Sequence, residues 1–206
     1  MSFRTDSTFA DLFIPSPNSE ERANNCKIDL LILHYTATES TTHALNWLTE
    51  PESRVSSHYL VGENGGIIQM VQEKDRAWHA GDSYWAGESD INSCSIGIEI
   101  QNLGHDSGLP AYPDIQMQSV IRLCLDIITR HSIPVERVLG HSDVAPHRKR
   151  DPGENFDWAR LYRSGIGYWV APIPPGEEEG LKRGDEGKDV ALLQSDLKSF
   201  GFKIDV

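Results

Sequence analysis

The sequence is poor in cysteine, poor in positive charge and without any long apolar run. Its three cysteines, Cys26, Cys94 and Cys124, are odd in number and form no Cys-x-x-Cys pair, so a disulfide framework is not expected to organise the fold. Cys94 precedes an apolar strand and Cys124 lies on an apolar helix face, so both read as small core residues; a thiol nucleophile at Cys94 stays open as the reactive alternative. Lys and Arg number 19 against 31 Asp and Glu, a formal net charge of −12. That balance disfavours nucleic acid, whose binding rests on neutralising phosphates, but leaves a glycopeptide partner open. No stretch approaches the roughly 18 apolar residues of a membrane span, which points to a globular protein that does not cross a bilayer. The opening Met1, Ser2, Phe3, Arg4, Thr5, Asp6 lacks the apolar core and small-residue cleavage site of a secretory leader. The expected location is the cytoplasm, or the periplasm or cell envelope if a leader has been removed.

What is present is enough chain, 206 residues, for one substantial core and a small appendage. Residues 1–27 are rich in Pro, Asn and Ser and predict a surface arm. Residues 28–33, apolar except for Asp29, have the length of a buried strand. A Ser/Thr-rich start before Leu45, Trp47 and Leu48 predicts a short amphipathic helix over 40–49, with His43 on its surface. Residues 55–61 and 67–71 are β-rich runs flanking Gly62, Glu63, Asn64, Gly65 and Gly66, a hairpin signal. Residues 82–93, with few aliphatic side chains, predict a long loop before a strand at 95–101. Val120, Ile121, Leu123, Cys124, Ile127 and Ile128 fall near helical spacing, predicting a helix over 116–131 that packs on the sheet and carries no chemistry. The alternation of strands and helices predicts an α/β domain over 28–170, a mixed central sheet flanked by helices. From Ala171 the prolines Pro172, Pro174 and Pro175, Gly176 and Glu177, Glu178 and Glu179 predict an extended linker over 171–180.

Residues 138–158 concentrate the chemistry. They offer the imidazole of His141, the carboxylate of Asp151 and the positive charge of Lys149, in a segment where Pro146, Pro152 and Gly153 forbid a continuous helix. A His after Gly140 and an Asp before Pro also suit ordinary turns. The strand at 28–33 delivers a second imidazole, His34, at its end, where α/β proteins place their chemistry. A catalytic zinc takes three nitrogen, sulfur or carboxylate ligands and one water, and His34, His141 and Asp151 would supply that set.

Four blocks of residues extend the pattern. They are residues 28–38, ending in His34, Tyr35, Thr36 and Ala37; residues 55–61, with Ser56, Ser57, His58 and Tyr59; Ala77, Trp78, His79, Ala80 and Gly81 with residues 95–100; and residues 138–158. In this order, from about Ser16 to Leu161, the chain resembles the zinc-dependent N-acetylmuramoyl-L-alanine amidases of the type-2 amidase family, relatives of peptidoglycan recognition proteins and phage amidase lysozymes. The resemblance implies a Zn2+ cofactor on His34, His141 and Asp151, with Glu99 and Lys149 as the catalytic pair. Ile96, Ile98 and Ile100 alternate with Gly97, Glu99 and Gln101, so Glu99 shares a polar strand face that suits a cleft wall, although an interior salt bridge would read the same way. Lys149 sits between Arg148 and Arg150, a run that equally suits a solvated surface.

Tyr35, His58, His79, Asn102 and Arg148 are the expected substrate contacts; the alternatives are hydrogen bonds completed in the core for Tyr35 and the imidazoles, support of the metal shell for His58 and His79, and a structural role for Arg148. His147 stands where relatives commonly carry Gly, and solvent is its expected surroundings. The implied activity is hydrolysis of the amide between the lactyl group of N-acetylmuramic or anhydro-muramic acid and L-alanine, with peptidoglycan or a muropeptide as partner and a monomer as the expected state. The rival class is a recognition protein that binds peptidoglycan in the same groove without cutting it. Residues 181–206 resemble the opening of a small helical peptidoglycan-binding module, too short to bury a core alone.

Overall fold

A computed structural model describes residues 4–23, 26–174, 176 and 180–204. In chain order the elements are β1 (Leu12–Phe13), β2 (Ser19–Glu21), β3 (Leu30–Tyr35), α1 (Thr41–Thr49), β4 (Tyr59–Val61), β5 (Ile67–Gln69), β6 (Asp75–Ala77), α2 (Ile91–Cys94), β7 (Ser95–Ile100), α3 (Asp114–His131), β8 (Val138–Gly140), α4 (His141–Val144), α5 (Trp158–Arg163) and α6 (Lys188–Phe200). Six strands form one mixed sheet in the order β1-β5-β4-β7-β3-β8, and β2 pairs with β6 in a separate ribbon. Only β4 and β5 run antiparallel within the large sheet, as the glycine-rich turn between them requires.

β3 opens as a continuous apolar run because both its faces are covered, whereas β7 alternates Ile96, Ile98 and Ile100 with Gly97 and Glu99. Leu31 and Leu33 of β3 and Ile96, Ile98 and Ile100 of β7 pack beneath Met117, Val120, Leu123, Cys124 and Ile127 of α3. Leu30 and Ile32 point to the other face, where Trp85, Ile91, Cys94, Leu139 and Val144 close a second cluster. α3 ends where Ser132 enters the left-handed region at φ 56° and returns its N–H to Ile128. α1 begins at Ser40, whose hydroxyl accepts the His43 N–H at 3.1 Å. Among the described residues, no helix is long and apolar enough to cross a membrane.

Three segments depart from expectation. The stretch expected as a surface arm is built into the domain. β1 covers the free edge of β5, and β2 pairs with β6. Ser16 and Asn18 are buried, donating to the Leu48 carbonyl at 2.6 Å and the Val55 carbonyl at 2.9 Å. An exposed sheet edge and unpaired backbone carbonyls create demand for partners that polar composition alone does not reveal. The loop expected over 82–93 is anchored by Trp85, 2 % exposed, and closes in α2. One large indole supplied the anchor that the scarcity of aliphatic residues concealed. At the C-terminus, α6 contributes no buried residue, and the segment touches the domain through Phe202 and Phe200, 5.0 and 5.7 Å from Trp85 between ring centroids. Of the expected linker, residues 171–174 are exposed, whereas Pro175 and Glu177, Glu178 and Glu179 lie outside the described residues, as do Met1, Ser2 and Phe3.

Candidate metal centre and cleft

Strands β7, β3 and β8 run parallel, so their C-terminal ends share one edge of the sheet, the usual position for chemistry in such folds. His34 lies directly opposite Glu99 across the β3–β7 pair. Leu33 and Ile98 face α3, so alternation turns His34 and Glu99 to the opposite side. β8 stops at Gly140, paired with Leu33, and the next residue is His141. The chain then loops through Pro146 and returns Asp151, whose carbonyl accepts the Ser142 N–H at 2.9 Å. Gly140 permits that return, since a Cβ there would stand 2.8 Å from the Pro152 Cδ.

Three donor atoms converge as a result. His34 Nδ1 is 2.9 Å from His141 Nδ1 and 3.1 Å from Asp151 Oδ2, and His141 Nδ1 is 3.0 Å from the same oxygen. The residues are 1 %, 2 % and 5 % exposed. His141 Nε2–H donates to the Ala80 carbonyl at 3.1 Å, which leaves its Nδ1 lone pair facing the other two donors. Burial pushes the His34 imidazole down to about 4, the neighbouring His141 adds to this, and the adjacent Asp151 carboxylate opposes it. Burial alone would raise the Asp151 carboxyl, but the His141 and His34 imidazoles beside it outweigh that and hold the group well below the carboxylate range. Two imidazole nitrogens and an ionised carboxylate oxygen that meet at one point suit a metal ion, and this is the one such cluster among the described residues.

These atoms open onto a cavity of about 370 Å³ whose walls include Tyr35, Trp47, Trp78, His79, Glu99, Arg148 and Lys149. Glu99 Oε2 has no hydrogen-bond partner. Burial, then the charge of Asp151, pushes its carboxyl well above the ordinary range, against the pull of Lys149. The Tyr35 hydroxyl meets His105 Nδ1 at 2.9 Å, and Arg148 spans to the carbonyls of Asp82 and Ala80. His147 is exposed.

Two residues expected at the substrate are elsewhere. His58 is fully buried: its Nδ1 accepts the Gly97 N–H at 3.0 Å and its Nε2–H donates to the Asp75 carbonyl at 3.1 Å. Asn102, 3 % exposed, donates to the Pro110 carbonyl and accepts the Gly104 N–H, both at 2.9 Å. Neither lines the cleft, because each polar end is consumed by backbone groups that burial leaves in need of partners. The thiol alternative also falls. Cys94 is 3 % exposed, burial pushes its thiol up to about 12, and its sulfur faces the Ile91 carbonyl at 3.6 Å. Trp47 and Trp78, both on the cleft wall, were not singled out from the sequence. The available signal was an indole on a nine-residue helix with few apolar positions, and Trp47 is 54 % exposed.

Known proteins share this architecture. The family model described as N-acetylmuramoyl-L-alanine amidase matches residues 24–154. The amidase AmiD of Escherichia coli is 42 % identical over 155 residues, which is 69 % of this chain but 55 % of AmiD. The chain thus spans about half of that relative's length. The 1,6-anhydro-N-acetylmuramyl-L-alanine amidase AmpD of Citrobacter freundii is 34 % identical over 72 % of this chain and 86 % of its own. Among solved structures, E. coli AmiD with anhydro-N-acetylmuramic acid-L-Ala-D-gamma-Glu-L-Lys superposes with a TM-score of 0.71 at 35 % identity, covering 90 % of this chain and 76 % of that one. AmpDh3 from Pseudomonas aeruginosa with an anhydromuramic pentapeptide gives 0.72 at 29 % identity, covering 100 % and 80 %. The family match over most of the chain, the identity to AmiD and AmpD and the shared fold lead to one conclusion: this chain belongs to the N-acetylmuramoyl-L-alanine amidase family.

Proposed function

We propose that the chain is a zinc-dependent amidase that cleaves the bond between the lactyl carbonyl of N-acetylmuramic or anhydro-muramic acid and L-alanine, in peptidoglycan or its muropeptide fragments. The observation that carries this reading is the meeting of His34 Nδ1, His141 Nδ1 and Asp151 Oδ2 within 3.1 Å of one another at the cleft floor. Two nitrogens and one carboxylate oxygen, with the cleft side left open, match the donor chemistry of catalytic zinc. When bound, zinc polarises the carbonyl and lowers the pKa of water to about 7. The names of AmiD and AmpD, and the muropeptides held by AmiD and AmpDh3, support the substrate class.

Glu99 carries the proton. Its unpartnered Oε2 takes a proton from the attacking water and hands it to the departing alanine nitrogen, and a raised pKa makes a carboxylate a better base near neutral pH. Lys149, on the cleft wall two positions before Asp151, places its ammonium beside the oxygen that becomes negative. Tyr35, His79 and Arg148 complete the wall that excludes water and orients the stem peptide. Every group needed comes from one chain, so a single copy suffices. A recognition-only groove would not need the complete set of donors together with an unsatisfied buried carboxylate.

The test is zinc content by elemental analysis, paired with mass spectrometry of a muropeptide digest before and after chelation. About one zinc per chain and chelator-sensitive release of a peptide with free L-alanine are expected. Glu99→Gln should keep zinc and lose turnover by about 10²–10⁴-fold. Zinc without cleavage of any muropeptide would favour recognition alone; unchanged turnover in Glu99→Gln would overturn the proton-transfer role.

A further inference from the structure

The two imidazole donors have outer nitrogens, and both lead back to the short α2–β7 junction. From His34, Nε2 lies 3.0 Å from His79 Nδ1, and His79 Nε2 lies 3.2 Å from Ser95 Oγ. The Ser95 hydroxyl donates its only proton to the Ile91 carbonyl at 2.6 Å. Proton placement then follows in sequence. Ser95 Oγ can only accept, so His79 carries its proton on Nε2. His79 Nδ1 is therefore a bare lone pair, His34 donates Nε2–H to it, and His34 Nδ1 is left bare toward Asp151 and His141.

The second branch starts one turn earlier. Asn92 Oδ1 accepts the backbone N–H of His79 at 3.1 Å and of Ala80 at 2.8 Å. This holds the 79–80 peptide so that the Ala80 carbonyl accepts His141 Nε2–H at 3.1 Å. Arg22 clamps the junction by donating to the Asn92 and Ser93 carbonyls at 3.1 and 2.8 Å. Gly97 makes room for the relay, since a Cβ there would stand 2.6 Å from the His79 ring.

We propose that Ser95 and Asn92, with His79 between them and the centre, are positioning residues that set the tautomer and aim of both imidazole metal ligands. The proposal rests on the metal reading above. Without the Ser95 acceptor, His79 is free to carry its proton on Nδ1. That proton would face His34 Nε2–H and favour the His34 tautomer protonated on the ligand side.

Zinc dissociation constants, measured by competition with a chromogenic chelator for the wild type, Ser95→Ala and Ser95→Thr, test this. Ser95→Ala should weaken zinc by about 10–100-fold, the usual effect of removing an outer hydrogen-bond partner of a ligand. Ser95→Thr, which keeps the hydroxyl, should bind more tightly than Ser95→Ala. Imidazole ¹⁵N NMR of the zinc-loaded wild type reads the relay without any substitution and should show His79 protonated on Nε2 and bare on Nδ1. Wild-type affinity in a folded Ser95→Ala, or a His79 protonated on Nδ1, overturns the proposal alone. A wild type that binds no zinc overturns the metal reading and this proposal with it.

Discussion

Two carboxylates in one cleft are driven in opposite directions. Asp151 lies against two imidazoles and stays ionised; Glu99, half-buried beside that charge with its Oε2 sealed and without a partner, is pushed well above the ordinary range. Such separation distinguishes a group that holds a cation from one that carries a proton. Asp151→Ala should accordingly lower zinc content and turnover together, by elemental analysis and by digest, whereas Glu99→Gln separates them. His58 supports a prediction away from the cleft. Burial, then the nearby Arg22 charge, pushes its imidazole from 6.5 down to about 3. The unfolded chain takes up a proton as pH falls through 6.5, while the folded protein resists until about 3. The contribution is therefore complete above pH 6.5 and declines progressively as pH falls toward 3. At pH 5 the loss from this group is about 2 kcal/mol. Urea unfolding of the metal-free protein across this range should show a shallower decline for His58→Gln; parallel curves would refute the assignment.

At the scale of elements, the sheet separates stability from chemistry. α3 packs on the face away from His34 and Glu99, so a cavity there should weaken the fold while leaving the cleft intact. Leu123→Ala, at a fully buried position, should cost about 2–5 kcal/mol in urea unfolding, with little change in turnover under native conditions. α3 was legible because its apolar stripe repeats over five turns, and the expected start at 116 differs by two residues from the observed Asp114. β3 was legible as an apolar run and β7 as an alternation of isoleucines with Gly97 and Glu99. β1, β2, β6 and α2 were not, since segments of two to four residues carry no period and are defined by the strand edge or carbonyl they satisfy. α2 nevertheless supplies Asn92 and leads into Ser95, the groups from which the proposed ligand positioning starts.

For the whole molecule, among the described residues one apolar cluster lies beneath α3 and two lie on the other face of the sheet, and α6 adds no buried residue to any of them. Limited proteolysis should cut first in the exposed stretch beginning at residue 171, releasing a stable fragment of the amidase domain; first cleavage inside the domain would contradict that boundary. The chain alone determined the order of the main elements, the absence of a membrane-spanning run and the chemical identity of the donors, because periodicity and functional groups are local properties. It also made His34, His141 and Asp151 candidates. Which of the eight histidines faces the cleft, and which is sealed in the core, was decided only by tertiary structure. His58 and His79 looked alike as imidazoles near strand ends. Packing consumed both nitrogens of His58 on the Gly97 amide and the Asp75 carbonyl, and turned His79 toward His34. A side chain's role depends on which partners the folded chain leaves within about 3 Å of it, and those partners are up to 117 residues away in sequence.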